Sequence, residues 1–211
     1  LCDKADEETY ELSYFFRTFE EMPETEKKAL DFVKGKTLDV GCGTGIHANI
    51  LQKKGIEVKA IDISPYAIQL AQKLGVNNAD CQNFFDLKNE KYDTLLFLMN
   101  GIGLVENLAG LSKFFKKCDE LLNANGQIIF DSSDLIYLFE EEDGSFKIDL
   151  NDNFYGEVQF QVEYDYVKGE PFPWLFIDFD NLEFYADKNG FKAELIFEDD
   201  HFNYLGRIVR K

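Results

Sequence analysis

The sequence predicts an α/β fold built on a parallel sheet, and three observations predict it. Between Leu38 and Asp131 short apolar runs alternate with helical stretches, the signature of repeated βαβ units. The first of these runs, Leu38 to Val40, passes straight into a turn that carries Gly41, Gly43 and Gly45. Beyond Asp134 the pattern changes to a period of two, which marks extra antiparallel strands after strand five.

The elements follow in order. Tyr14, Phe15 and Phe19, then Ala29, Leu30 and Val33, suggest two helices ahead of the first strand. Leu38 to Val40 is that strand, a helix runs from about Ile46 to Lys54, and Ile56 to Ile61 is the second strand. Ser64 caps the next helix with Pro65 at its first position, and Gly75 stands where that helix must stop. A short third strand falls around Val76 to Cys81. Tyr92 to Met99 contains five apolar residues in succession, as a strand covered on both faces does. Leu108, Leu111, Phe114, Phe115, Cys118, Leu121 and Leu122 recur at helical spacing, so an amphipathic helix ends near Asn123 and the fifth strand follows at Gln127 to Phe130. Val158, Phe160, Val162, Tyr164 and Tyr166 alternate with polar residues, which reads as one antiparallel strand with a wet face. Phe172 to Ile177, Lys192 to Glu198 and Phe202 to Val209 read as strands, the last two a hairpin through Asp199-Asp200. A helix over Asn181 to Lys188 is stopped at Gly190.

At 211 residues, 45% of them hydrophobic and with 21 Phe and 10 Tyr, the chain suits one domain with a sizeable core. Its net charge is −18, and most of that lies from Glu140 onward, where 18 acids face 7 bases. The run Glu140 to Asp143 reads as a solvated turn. The longest basic cluster is Lys116-Lys117 with Lys113 beside it, so nucleic acid is not an expected partner. No apolar run approaches the roughly 20 residues of a membrane span, and Leu1 to Glu11 is acidic, unlike a secretory leader. A cytoplasmic protein is expected, from a chain that begins without Met. Cys2, Cys42, Cys81 and Cys118 lie 37 to 40 residues apart, too evenly for a zinc knuckle or a disulfide framework, and read as reduced thiols. With His47 and His201 as the only histidines, no metal site is expected.

Glycines in the turn after the first strand let the backbone bend sharply and approach a ligand that a Cβ would exclude. A dinucleotide fingerprint needs G-x-G-x-x-G, whereas here the third glycine comes one position early and Ile46 follows. That spacing argues against NAD or FAD. Such turns also arise for purely steric reasons, and the second feature that points to a ligand is Asp62, 21 residues after Gly41. At the C-terminal end of the second strand a carboxylate takes both hydroxyls of a ribose. The same residue also suits the start of the helix beside Ser64.

Leu-Asp-Val-Gly-Cys-Gly-Thr-Gly from Leu38 to Gly45, with Ala60-Ile61-Asp62-Ile63-Ser64-Pro65, resembles the class I S-adenosylmethionine-dependent methyltransferases. The resemblance covers about Thr25 to Asp131. It implies a Rossmann-like seven-stranded, mainly parallel sheet with an antiparallel last strand. It also implies S-adenosyl-L-methionine as cofactor, S-adenosyl-L-homocysteine as product, and a cofactor spread across the strand ends. Within residues 1–211, taken as a single methyltransferase domain, it divides an N-terminal helical lid (1–35), a cofactor-binding core (36–134) and C-terminal strands with an acceptor-side insertion (135–211). Position by position, it places Gly41, Cys42, Gly43 and Gly45 against the methionine part and ribose, with Asp39 organising the amino-acid end. Asp62 holds the ribose hydroxyls and Ile63 lies against the adenine. Asp80 matches the acid that accepts from the adenine amino group, with the Cys81 N–H facing a ring nitrogen and Asp86 competing for the acid's role. Asn100 and Gly101 match the position facing the methionine moiety and the methyl group.

The acceptor is less legible. The stretch after strand four has no Asn-Pro-Pro-Tyr-like element, so nothing marks an amide or exocyclic amine as acceptor. Asp131, Asp134 and Tyr137 are the candidates for a general base, although Asp131 to Asp134 also suits a helix cap. Trp174 with Phe172 and Pro173 reads as packing of the added sheet, with an acceptor pocket as the other use. His47, in the first turn of the glycine-loop helix, reads as a partly exposed structural residue, with contact to cofactor or substrate as the other use, and His201 as a surface residue at a hairpin tip. The partner expected is a small-molecule acceptor, with amines or a basic protein compatible with the acidity. The alternatives are a noncatalytic S-adenosylmethionine-binding sensor or partner subunit and, on fold analogy alone, a nicotinamide-dependent reductase.

Overall fold

The computed structural model describes residues 2–5, 9–149 and 151–211. After a short 3-10 turn at Leu12–Phe16 come α1 (Glu24–Phe32), β1 (Thr37–Val40), α2 (Ile46–Lys53), β2 (Val58–Asp62), α3 (Pro65–Lys73), β3 (Ala79–Cys81), β4 (Tyr92–Phe97), α4 (Leu111–Leu121) and β5 (Leu122–Ser133). The remainder adds β6 (Glu157–Phe160), β7 (Glu163–Tyr164), β8 (Val167–Lys168), β9 (Phe172–Leu175), α5 (Phe179–Lys188), β10 (Phe191–Glu198) and β11 (Asn203–Arg210). Seven strands form one sheet in the order β3-β2-β1-β4-β5-β11-β10. The first five are parallel, and β11 runs antiparallel to both of its neighbours. The seven-stranded Rossmann-like arrangement with an antiparallel last strand is therefore present.

Burial on both faces explains the apolar runs. Leu38, Val40, Leu95, Phe97, Ile128 and Phe130 pack under α4 and α5, while Ala60, Leu96, Ile129 and Leu205 pack under α1, α2 and α3. Phe84, Phe97, Phe114 and Phe115 pack edge-to-face or tilted in a chain with ring centroids 5.2 to 5.9 Å apart. Where β11 crosses β5, a Cβ on Gly206 would stand 2.3 Å from the Phe130 ring, so that ring fits only because residue 206 is glycine. Strand order reverses between β1 and β4, which flank each other at the middle of the sheet. In open α/β sheets the crevice for a ligand lies outside the strand ends at such a reversal.

Two sequence expectations change. The first N-terminal helix is only the five-residue 3-10 turn, with no buried residue. Val158 to Tyr166 is not one strand either: β6 pairs with β9 from Glu157↔Leu175 to Phe160↔Phe172 and stops there. Asp165, with a positive φ of 55°, lies in the turn between the two-residue strands β7 and β8, a hairpin closed by Gly169 N–H on the Val162 carbonyl. Val162, Tyr164 and Tyr166 are consequently exposed, so their alternation reports no buried face.

Candidate functional site

β1 is buried along its length and ends at Val40, where the chain turns on three glycines with φ of 72° (Gly41), 54° (Gly43) and 79° (Gly45). The N–H groups of Gly41 and Cys42 both donate to the Ile61 carbonyl, at 2.9 and 3.0 Å, which folds the turn back onto β2. The glycines serve two purposes. A Cβ on Gly45 would lie 2.6 Å from Val76 and 3.0 Å from Ala71, so that glycine lets α2 seat against α3. A Cβ on Gly41 or Gly43 would meet nothing within 4 Å, so these two leave bare backbone beside open space.

Asp62 ends β2 next to this cradle. One carboxylate oxygen accepts the Gly43 N–H at 3.0 Å and the other the Ser64 N–H at 2.8 Å. Ser64 in turn accepts from Ala67 N–H at 3.2 Å and caps α3, with Pro65 in its first turn. Asp62 thus joins the start of α3 to the glycine turn, and each oxygen keeps a lone pair for another donor. Ile63 (74% exposed) and Tyr66 (80% exposed) hold apolar surface in the open beside it. Asp39, on the α2 side of β1, is 2% exposed. Burial pushes its carboxyl up to about 6, with Asp62 adding to the rise and His47 and the Ala48 N–H opposing it. Its Oδ2 has no hydrogen-bond partner, a buried oxygen aimed at no group of the protein. Cys42 is buried, and burial with Asp39 and Asp62 nearby drives its thiol far above the usual range, so it is no nucleophile.

The ends of β4 and β5 make the other wall. Met99 and Asn100 take φ of 59° and 56°, in the left-handed region. Asp131 Oδ1 accepts the Asn100 N–H at 2.8 Å, and burial raises its carboxyl to about 6 against the pull of the Asn100 and Met99 N–H groups. Asp134 caps the 3-10 turn Leu135–Phe139 by accepting from Ile136 N–H at 2.9 Å, and it also accepts the Tyr155 hydroxyl at 2.8 Å. Burial raises its carboxyl. Tyr137 is 42% exposed and stacks on Phe202 at 5.7 Å. Gly103 lies so close to the Trp174 indole that a Cβ there would be 2.1 Å from Nε1, so Trp174 packs β9 onto the loop after β4.

The structure does not bring together every residue that the sequence singles out. The Asp80 carboxylate lies 3.3 Å from Lys59 Nζ, which Glu90 shares at 2.8 Å, so it is drawn back from the strand ends. Cys81 remains at the rim, with Sγ 3.5 Å from the Ile63 carbonyl, and Gln82 N–H donates to the Asp62 carbonyl. Asp86 is exposed in the 3-10 turn Phe84–Asp86. His47 is not partly exposed: it is 4% exposed, because α1 covers it and Glu26 meets its Nε2 at 2.7 Å. His201 is exposed between β10 and β11. Glu26, Arg17 and Thr44 carry roles that the sequence does not announce. Thr44 Oγ1 donates to the Phe15 carbonyl at 2.6 Å and so ties the N-terminal turn to the glycine loop. An acid in a helix's first turn and a threonine between glycines carry no signal of such long-range partners.

Residues 38–130 match the family model described as "Methyltransferase domain". Along its whole length the chain superimposes on an S-adenosylmethionine-dependent methyltransferase from Bacteroides fragilis, solved with S-adenosyl-L-homocysteine. The identity is 44%, the TM-score 0.92 and the coverage of that chain 86%. An S-adenosylmethionine-dependent methyltransferase from Clostridium acetobutylicum, 17% identical with a TM-score of 0.63 over 90% of this chain and 93% of that one, shares the fold. Ubiquinone biosynthesis O-methyltransferase of Pasteurella multocida is 30% identical over 108 residues, 45% of this chain and 45% of that protein. Its Coxiella burnetii counterpart is 30% identical over 107 residues, 46% and 44%. The chain thus spans less than half the length of these curated relatives. No helix among the described residues is long and apolar enough to cross a membrane.

Proposed function

The chain belongs to the S-adenosylmethionine-dependent methyltransferases, and on that premise we propose that it transfers the methyl group of S-adenosylmethionine to a small-molecule acceptor. The observation that carries the cofactor assignment is the pairing of a bare glycine cradle with two carboxylates. Gly41 and Gly43 leave space that a Cβ would fill, Asp62 stands over it, and the buried Asp39 oxygen lacks a partner. These features fit an extended ligand with a ribose and a positively charged amino-acid end. Asp62 takes the ribose hydroxyls, Ile63 and the Cys81 backbone flank the adenine, and Asn100 with Gly101 faces the methionine moiety.

When bound, the sulfonium supplies an electrophilic methyl group that an acceptor attacks in line. The chain's own residues bind, align and shield. Alignment and exclusion of water supply much of such a rate enhancement, so no signature catalytic residue is required, and where the acceptor is an amine or hydroxyl a base takes its proton before or after attack. Residues 1–35 act as a lid. What supports this role is the Thr44 to Phe15 hydrogen bond and the burial of Arg17 against α1, which hold the N-terminal turn beside the cradle. The acceptor lies between this turn and the aromatic side chains that follow β5, Tyr137 and Phe202 among them. The direct test is an acceptor screen that detects S-adenosylhomocysteine release against metabolite pools. Cofactor binding without release from any pool would favour a sensor or partner subunit.

A further inference from the structure

The turn after β4 holds its backbone where side chains resist it. Met99 and Asn100 follow each other at φ of 59° and 56°, and neither is glycine. Consecutive left-handed residues persist only where the surroundings over-determine them, and such strain gathers at binding sites. Here the restraint comes from β5. Asp131 Oδ1 accepts the Asn100 N–H at 2.8 Å. Two residues on, Ser133 Oγ lies 3.4 Å from Asn100 Oδ1 and 2.6 Å from Asn203 Oδ1, which links the turn to β11 as well. The Asn100 backbone is therefore held by β5, and its side chain lies against the same strand.

We propose that Asp131 is a positioning residue rather than the general base, and that it holds the Met99–Asn100 turn in the shape that receives the methionine end of the cofactor. The inference rests on the methyl-transfer reading, and it gives the acidic residue at the end of β5 a different job from proton removal. A base needs a lone pair directed at the acceptor. Asp131 Oδ1 is instead engaged by the Asn100 N–H of the neighbouring strand's turn, where loss of this acceptor would free the left-handed Met99–Asn100 pair.

Two ligands separate positioning from a general structural role. S-Adenosylhomocysteine carries the amino-acid end, whereas 5′-methylthioadenosine has the same nucleoside without it. Calorimetry on the full chain should find that Asp131→Ala weakens S-adenosylhomocysteine at least tenfold and leaves 5′-methylthioadenosine within twofold of the parent. Asp131→Asn keeps an oxygen that accepts the N–H and should hold S-adenosylhomocysteine within threefold. Should Asp131→Ala not fold, Asp131→Ser, whose hydroxyl is too short to span to the turn, carries the same expectation. An alanine or serine variant that binds both ligands like the parent, or loses both equally, overturns the inference, as does an asparagine variant as weak as the alanine one. A parent protein that binds neither ligand overturns the methyl-transfer reading itself, and the inference with it.

Discussion

Arg17 and Glu26 form a buried two-pronged pair: Nη2 of the arginine lies 2.5 and 2.6 Å from the two carboxylate oxygens, and each side chain is 3% exposed. Three further interactions make this pair a junction. His47 of α2 meets Glu26 at 2.7 Å, Arg17 Nη1 donates to the Tyr14 carbonyl at 2.5 Å, and the guanidinium stands 4.0 Å from the Tyr14 ring centre. Burial works to raise the Glu26 carboxyl, yet His47 and Arg17 together hold it below its ordinary value. One carboxylate therefore fastens the N-terminal turn to α1 and to the helix that springs from the glycine loop.

Removing that carboxylate leaves Arg17 buried without its counter-charge, which costs far more than losing an exposed pair. Glu26→Ala should lower the free energy of unfolding by about 3 to 5 kcal/mol, read by urea denaturation. Limited proteolysis should then cut the chain between Tyr10 and Arg17 faster than in the parent. A loss under about 1 kcal/mol, the range of exposed ion pairs, would show that Arg17 finds water when Glu26 goes.

The sheet was legible because its strands are covered on both faces and carry their own punctuation. Leu38 to Val40 ends in glycines with positive φ, and Ser64-Pro65 starts α3 as its sequence requires. The place of Asp62 beside the glycine turn was legible because its partners, Gly43 and Ser64, belong to the same local pattern. The chain after β5 was not, because alternation there reflects a small hairpin whose tyrosines face solvent, and period alone does not say which side a strand covers. The Arg17–Glu26–His47 junction was also invisible: it joins three segments through side chains that, in sequence, look like ordinary surface charges. The Asp80 ion pair was not legible either, because a carboxylate at a strand end answers to the nearest ammonium, here Lys59 on the adjoining strand.

Burial gives Asp39 a carboxyl near 6 against an ordinary 3.8, and the sign of its effect on stability follows. A folded state that holds the proton more tightly than the unfolded one is stabilised below about pH 4, and this contribution is lost as pH rises through 6. Asp39→Asn removes the titration. Relative to the parent, the variant should gain about 2 to 3 kcal/mol between pH 4 and pH 8, since each tenfold difference in proton affinity between the folded and unfolded states is worth about 1.4 kcal/mol. Urea denaturation without ligand measures it. A difference between the two proteins that does not change with pH would mean that Asp39 titrates alike in both states.

Asp62→Ala takes away the acceptor for the ribose hydroxyls and, with it, the two N–H bonds that shape the glycine turn. Hydrogen bonds to a charged group are worth about 1.5 to 3 kcal/mol, so S-adenosylhomocysteine affinity should fall by about that amount in calorimetry. The parent should bind this ligand and S-adenosylmethionine at micromolar concentration and NAD negligibly, since the glycine spacing does not suit a dinucleotide. A folded variant with parental affinity would remove Asp62 from the site, and a preference of the parent for NAD would end the methyltransferase reading.

The N-terminal turn should matter more for turnover than for cofactor affinity. The groups assigned to the nucleoside and amino-acid end, from Asp39 to Gly101, all follow it in the chain, whereas the turn is tied to the cradle by the hydrogen bond from Thr44. Tyr10, Tyr14 and Phe15 cluster with ring centroids 5.5 to 6.4 Å apart, and Phe15 and Phe16 remain 36% and 49% exposed, so the turn has apolar surface to offer an acceptor. A segment of this kind serves as a lid that excludes water while the acceptor is aligned. Deleting Leu1 to Phe19 also removes Arg17, so the deletion is best made together with Glu26→Gln, which leaves no uncompensated carboxylate beside His47. With the acceptor identified by the release screen, the shortened protein should lose at least tenfold in kcat/KM and no more than threefold in S-adenosylhomocysteine affinity. Equal losses in both would make the turn part of the cofactor site, and unchanged turnover would place the acceptor elsewhere on the strand ends.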